Sequence, residues 1–211
     1  MVLLNPFSDL DTALNYESWY DTAGRKAVSQ EKSLIEALLT HFPAAQTVLE
    51  VGCGTGYFTN WFESIGLQPI GLDFSMSMLK AARTNHQLTC IQGDALALPF
   101  PNKTFDLTAF ITTLAFITDP VKALTEALRV SKQGLILGVI NRHSLLGWGY
   151  SLRGGPIWDS ARFLTLNEIL RTLLEILPQK HQITWKTTLL PLFHGSTKLP
   201  WGGFIGLAVK F

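Results

Sequence analysis

Cysteine is scarce in this chain, with two in 211 residues. Neither Cys53 nor Cys90 belongs to a CxxC pair or a Cys/His cluster, so a disulfide framework or zinc module has no basis here. The expectation is two reduced thiols. Charge is scarce too: 16% of residues are charged and the net charge is +1, which leaves no electrostatic footprint for nucleic acid. No apolar run approaches the ~20 residues that span a bilayer. The first residues, Met1-Val2-Leu3-Leu4-Asn5-Pro6, lack the basic stretch and apolar core of a signal peptide. A cytoplasmic protein without a membrane span is expected. No His/Asp/Glu set has metal-ligand spacing, and no Ser/His/Asp set follows a nucleophile elbow; no metal is expected.

Apolar residues make up 47% of the chain, and the length suits one domain spanning 1–211. The organising stretch is Val48-Leu49-Glu50-Val51-Gly52-Cys53-Gly54-Thr55-Gly56-Tyr57. Its apolar run reads as a strand buried on both faces. Glycines at 52, 54 and 56 permit a sharp turn and let a ligand lie against bare peptide. A helix follows, with Phe58, Trp61, Phe62 and Ile65 at helical spacing and Gly66 as its stop. Strand, glycine loop and helix form the nucleotide-binding corner of doubly wound α/β folds. A dinucleotide fingerprint would place its third glycine at 57, which is Tyr57. Asp73 ends the next strand-like run, about 20 residues on, where a carboxylate can take both ribose hydroxyls.

Further along, a helix is expected over residues 25–42, with Val28, Leu34, Ile35, Leu38 and Leu39 on its apolar face. Ser75 caps a helix carrying Met78, Leu79 and Ala82. Strands are expected at 68–73, 88–91, 105–111, 135–140, 182–190 and 204–211. Asp119-Pro120 is a cap followed by a first-turn proline, opening a helix with Val121, Leu124 and Leu128 inward. Thr165-Leu166-Asn167-Glu168 is a capping box, opening a helix striped by Leu166, Ile169, Leu170, Leu173 and Leu174. Residues 141–163 read as a long aromatic-rich connection starting at a strand's carboxyl end, which predicts a substrate lid. The stretch 191–203, with His194 and Trp201, is a second candidate wall.

Glu50-Val51-Gly52-Cys53-Gly54-Thr55-Gly56, Gly71-Leu72-Asp73-Phe74-Ser75 and Gly93-Asp94-Ala95 with Leu98-Pro99-Phe100 occur in order at suitable spacing. Together they resemble the motifs of class I S-adenosylmethionine-dependent methyltransferases, in the subgroup containing the ubiquinone/menaquinone-biosynthesis C-methyltransferases. The resemblance is strongest over residues 47–141. It implies a Rossmann-like α/β sheet of order 3-2-1-4-5-7-6 with strand 7 antiparallel and helices on both faces. It also implies S-adenosyl-L-methionine as cofactor and S-adenosyl-L-homocysteine as product. The implied cofactor site comprises Glu50, Gly52, Cys53, Gly54, Gly56, Asp73, Phe74, Met78, Gly93, Asp94, Ala95, Ile111 and Thr112. Within it Asp94 accepts from the adenine amino group and the Ala95 N–H donates to the ring, a pairing that matches adenine's edge. Residues 1–46 would form an N-terminal cap and helix, in which the leader, residues 1–24, closes over this site through Tyr16, Trp19 or Tyr20, with Arg25 pairing the methionine carboxylate.

After residue 111 the chain has no Asn/Asp-Pro-Pro-aromatic motif and no Pro-Cys nucleophile. These absences favour transfer to a C or O atom of a small-molecule acceptor. His143, just past a strand, is the candidate general base. Two other readings stay open: a non-catalytic S-adenosylmethionine-binding or regulatory module, and an NAD(P)-dependent oxidoreductase on the same kind of sheet.

Overall fold

The computed structural model describes residues 7, 17–22, 24–155, 157–190 and 195–211, without the side chains of Trp19 and Asp21. After a short helical turn at Ser18–Asp21 the elements run α1 Arg25–Leu39, β1 Thr47–Val51, α2 Tyr57–Ser64, β2 Gln68–Asp73, α3 Met76–His86, β3 Cys90–Gln92, β4 Phe105–Ile111, α4 Pro120–Val130, β5 Ser131–Ile140, α5 Leu145–Arg153, α6 Leu166–Ile176, β6 Gln182–Thr188 and β7 Phe204–Lys210. The strands form one sheet of order β3-β2-β1-β4-β5-β7-β6. The pairs β1–β2, β1–β4, β2–β3 and β4–β5 are parallel, whereas β7 runs antiparallel to β5 and β6. The expected order and the reversed last strand are both present.

Strand alternation divides the core. Leu107, Ala109 and Ile111 of β4, Ile136 of β5 and Phe204 and Ala208 of β7 pack with α1 and α2 through Leu34, Ile35, Leu38, Phe58 and Phe62. Phe110, Leu135, Leu137, Ile205, Leu207 and Val209 face the other way, against Leu124, Ala127, Ile169 and Leu173 of α4 and α6. Burial on both faces is why these strands are nearly continuous apolar runs.

Helix ends follow their sequence signals. Ser75 accepts from Met78 N–H at 3.2 Å, and Asp119 accepts from Lys122 N–H at 3.0 Å, ahead of Pro120. Thr165 and Glu168 form the reciprocal capping box. Past α2, Gly66 has φ +92°. Gly66 N–H donates to Glu63 O and Leu67 N–H to Phe62 O, the two bonds of a Schellman stop.

Four expectations need correction. Val121 is 42% exposed and Leu174 61%. The buried face of α4 is Ala123, Leu124, Ala127 and Val130, and Val121, in the first turn, falls outside it. Leu174 flanks the stripe of α6 rather than lying on it. Ile65, 37% exposed, lies past the last turn of α2 and off its face. The fourth correction concerns residues 141–163: the connection contains the nine-residue helix α5 and a 3-10 turn at Trp158–Ser160.

Candidate functional site

A cleft of about 880 Å³ opens at the carboxyl ends of β1, β2 and β4. That lies within the ~300–1,000 Å³ typical of small-ligand sites, on the side of the sheet where such folds bind ligands.

One wall is the glycine loop. Gly52, Gly54 and Gly56 have φ of +73°, +55° and +83°, the region that penalises a Cβ. A Cβ on Gly52 would lie 2.1 Å from the Thr113 side chain, while one on Gly54 would meet nothing within 4 Å. Gly52 is therefore required by packing, and Gly54 leaves bare peptide facing the cleft. Gly56 caps α2 against Leu88 and does not line the cleft.

Asp73 is fixed by the backbone. Its Oδ2 accepts from Gly54 N–H at 2.8 Å and its Oδ1 from Ser75 N–H at 2.8 Å. Burial pushes its carboxyl upward, opposed by the N–H groups of Ser75, Gly54 and Phe74. A carboxylate so held at the rim offers its remaining lone pairs to a vicinal diol. Asp94 accepts from Leu96 N–H through Oδ1 at 2.9 Å, with Gly93 and Ala95 beside it on the cleft wall. Met78 and the 67% exposed Phe74 complete this side.

Thr112 also lines the cleft, with φ +59°. A β-branched residue seldom adopts that conformation, and strain of this kind gathers at functional sites. Thr112 N–H donates to Gly138 O at 2.7 Å, and Thr113 Oγ1 donates to Gly52 O at 3.1 Å. The segment after β4 is thereby tied to both β5 and the glycine loop.

The opposite wall is made by Phe7, Phe116, Ile117, Thr118, Asp159 and Ser160. Phe7 meets Phe116 edge to face, centroids 5.0 Å apart, and Phe7 O accepts from Ser75 Oγ. None of these is a candidate site residue by sequence. Phe116 lay in the segment flagged after β4 and Asp159 and Ser160 in the predicted lid, but no motif marks them.

Several candidates lie off the cleft surface. Glu50 is 2% exposed and accepts a hydrogen bond from Thr59 on α2. Burial pushes its pKa to about 8; the Thr59 hydroxyl opposes this, and Cys90 and Asp73 add to it. Its role is therefore beneath the loop. Cys53 faces Cys90 across Gly71, whose absent Cβ makes room for both sulfurs. Its thiol is pushed up by that contact and by burial. Ile111 is buried in the sheet core. Tyr20 stacks on Tyr57 with centroids 4.2 Å apart, at the start of α2, and Arg25 is exposed on the first turn of α1. Tyr16, His194 and the Trp19 side chain lie outside what is described.

His143 is exposed and lines a different cavity, of about 500 Å³, with Arg142, Leu145, Trp148 and Trp201. Its N–H donates to Asn141 Oδ1, which fixes the backbone but leaves the ring outside the cleft. Among the described residues no His/Cys/Asp/Glu cluster suits a metal, and no helix is long and apolar enough to cross a membrane.

The glycine cradle, the backbone-fixed Asp73 and the Asp94–Ala95 edge fit a nucleoside, and this sheet order with its reversed seventh strand defines the class I methyltransferase fold. The methyltransferase-domain family matches residues 49–138. An uncharacterised protein of Methanocaldococcus jannaschii is 34% identical over 78% of this chain and 77% of its own length. The demethylmenaquinone methyltransferase of Renibacterium salmoninarum is 35% identical over 59% of this chain, an alignment spanning 52% of that protein. A solved S-adenosylmethionine-dependent methyltransferase of Thermotoga maritima, described as a possible histamine N-methyltransferase, superposes with TM-score 0.80 at 26% identity. It covers 99% of both chains. The chain belongs to the class I S-adenosylmethionine-dependent methyltransferases, and S-adenosylmethionine is its cofactor.

Proposed function

We propose that this methyltransferase transfers its methyl group to a C or O atom of a small-molecule acceptor, seated against Phe116, Ile117 and Ser160. The observation that carries this reading is the cleft's two-sided make-up: bare peptide and backbone-held carboxylates on one wall, and on the other Phe7, Phe116 and Ile117 beside the polar Thr118, Asp159 and Ser160. S-adenosylmethionine supplies a methyl on a sulfonium whose positive charge disappears on transfer. The protein's part is to hold the acceptor atom ~3 Å from that methyl and in line with it.

In this reading Gly52, Gly54, Asp73, Phe74, Met78, Gly93, Asp94, Ala95 and Thr112 hold the cofactor. Asp73 takes the ribose diol, and the Asp94 carboxylate with the Ala95 N–H reads the adenine edge. Phe7, Phe116 and Ile117 keep water from the site of charge loss. Residues 141–163 act as the lid over the acceptor. An acceptor that must lose a proton would find Asp159 on this wall, rather than His143. The Asp159 carboxylate accepts from Gly155 N–H at 3.2 Å, an anchor within the lid. The relative named for demethylmenaquinone and the one described as a possible histamine N-methyltransferase differ in acceptor, and the second names a nitrogen rather than a C or O atom.

The test is mass spectrometry of a cell extract incubated with the purified chain and methyl-labelled S-adenosylmethionine. A labelled small molecule with a new C- or O-methyl is the expected product. Label confined to macromolecules would overturn the small-molecule reading. Cofactor binding with no labelled product in any extract would favour the non-catalytic module.

A further inference from the structure

Helix α5 is docked by one side and is apolar on the other side as well. Inward lie Leu146, Gly147 and Tyr150. Tyr150 stacks on Trp158 with centroids 4.2 Å apart. A Cβ on Gly147 would sit 2.2 Å from Asn141 O, so the helix is pressed against the end of β5. Outward lie Leu145, Trp148 and Leu152, at 68%, 62% and 66% exposure. A helix apolar all round is ordinarily buried all round, and an exposed apolar patch of this kind marks an interaction surface.

The patch extends beyond the helix. Trp201, 62% exposed, shares the 500 Å³ cavity with Trp148 and Leu145. Asn141 Nδ2 donates to Pro200 O and Gly202 O at 2.8 and 2.9 Å, holding the β6–β7 connection beside the start of α5. Two exposed cations neighbour the patch along the chain, Arg153 next to Leu152 at the end of α5 and Lys198 on the connection that carries Trp201, and the exposed Asp159 carboxylate lies against Gly154, past the helix end. Arg142 lies at the cavity and is paired with Glu168 at 2.9 Å. No acid occurs in Leu145–Arg153.

We propose that this face docks onto an anionic lipid bilayer, with Leu145, Trp148, Leu152 and Trp201 entering the interfacial zone and Arg153 and Lys198 meeting headgroup phosphates. Aromatic and aliphatic side chains on one face bordered by Lys and Arg are the make-up of interfacial helices. Tryptophan, with an apolar body and one N–H, settles at headgroup depth. Asp159 and Ser160 line the cofactor cleft from the same 141–163 segment. Docking would bring the acceptor wall to the lipid surface, so acceptors with an apolar tail would be taken from the bilayer. That consequence rests on the proposed methyl transfer; the docking itself does not.

The experiment is vesicle co-sedimentation with tryptophan fluorescence, comparing phosphatidylcholine alone with an equimolar mixture of phosphatidylcholine and phosphatidylglycerol. The full chain is expected to pellet with the mixed vesicles and its emission to shift blue, with weak pelleting on phosphatidylcholine. Trp148→Ser with Leu152→Ser should weaken binding at least ~10-fold. Arg153→Gln and Lys198→Gln should each reduce the preference for anionic vesicles by roughly 5-fold. Unchanged S-adenosylmethionine affinity establishes that each variant is folded.

Failure to pellet with either vesicle overturns the proposal, as does binding indifferent to the Trp148/Leu152 pair. So does a dimer in the ultracentrifuge that the pair dissolves, which would assign the face to a second copy. Capture of an acidic protein by this face without vesicle binding counts against it equally. Vesicle binding without methyl transfer would leave the docking intact and remove the proposed function. Methyl transfer to a soluble acceptor without vesicle binding would do the reverse.

Discussion

The two walls of the cleft are made of different materials. The wall proposed for the cofactor comes from four short runs, 51–54, 72–78, 93–96 and 112–113, each at the carboxyl end of a parallel strand. Its working parts are bare peptide and carboxylates held by backbone N–H groups. The wall proposed for the acceptor gathers Phe7, Phe116–Thr118 and Asp159–Ser160 from segments far apart in the chain. There the working parts are side chains, and one apolar side chain substitutes for another far more easily than a glycine or a fixed carboxylate does. The first wall is thus constrained in residue type and spacing; the second is constrained mainly in shape.

The sharpest way to break this contrast is Asp73→Asn. The amide must turn its NH2 toward either Gly54 N–H or Ser75 N–H, leaving a donor unmade, and the ribose loses its charged acceptor. Calorimetry should show S-adenosylmethionine affinity down about 100-fold. A change below a few-fold would mean that Asp73 is not the ribose ligand.

The glycines give a graded comparison. Gly52→Ala meets the Thr113 side chain as well as an unfavourable φ. It should cost more than the ~1–2 kcal/mol of a left-handed Cβ and weaken cofactor binding at least ~10-fold. Gly66→Ala, also left-handed but in open space away from the cleft, should lower stability by only ~1 kcal/mol. Its affinity should match the parent's. Melting curves and calorimetry on the pair separate backbone strain from ligand contact.

Stability should also depend on pH, through acids outside the cleft. Glu31 is 5% exposed in α1, and burial raises its pKa from 4.5 to about 7. Between those values the folded chain holds a proton that the unfolded chain has released. Stability therefore falls as pH rises from about 4.5 to 7 and levels off above. Glu50, raised to about 8, adds a fall in the same direction that continues to that pH. Glu31→Gln should remove a decline of about 3 kcal/mol from denaturation profiles over that window. A profile as steep as the parent's would show that Glu31 is not the group responsible.

On the acceptor wall, Phe116→Ala should raise the KM for the acceptor several-fold while leaving cofactor affinity within ~2-fold, since the ring lines only that side. His143→Ala should be the smallest of these effects, with turnover within ~2-fold, because the ring lies in the other cavity.

The same contrast explains what was legible in the sequence. Gly52, Gly54 and Asp73 stand at fixed offsets because peptide geometry demands it, and the sheet order followed from recognising them. Caps at Ser75, Asp119 and Thr165 were readable because a side-chain oxygen must meet an N–H three residues on. Helix α5 was missed because its apolar residues face both inward and outward, which erases helical periodicity, and because Gly147 and Gly149 argue against a helix. Gly147 is there only to let the helix touch Asn141 O, a tertiary contact with no local signature. Tyr20, Arg25 and His143 were placed by resemblance or by proximity to a strand end, and neither fixes where a side chain points. Phe7 joins the cleft through a backbone oxygen that accepts from Ser75 Oγ and a ring packed on Phe116, tertiary contacts that leave no local pattern to read.

The most direct test of the central claim is a crystal structure with bound S-adenosyl-L-homocysteine. The ribose hydroxyls should lie within hydrogen-bond distance of Asp73 and the adenine edge at Asp94 and Ala95, with the sulfur facing Phe116 and Ser160. A nucleoside bound elsewhere, or a sulfur turned toward the His143 cavity, would contradict it.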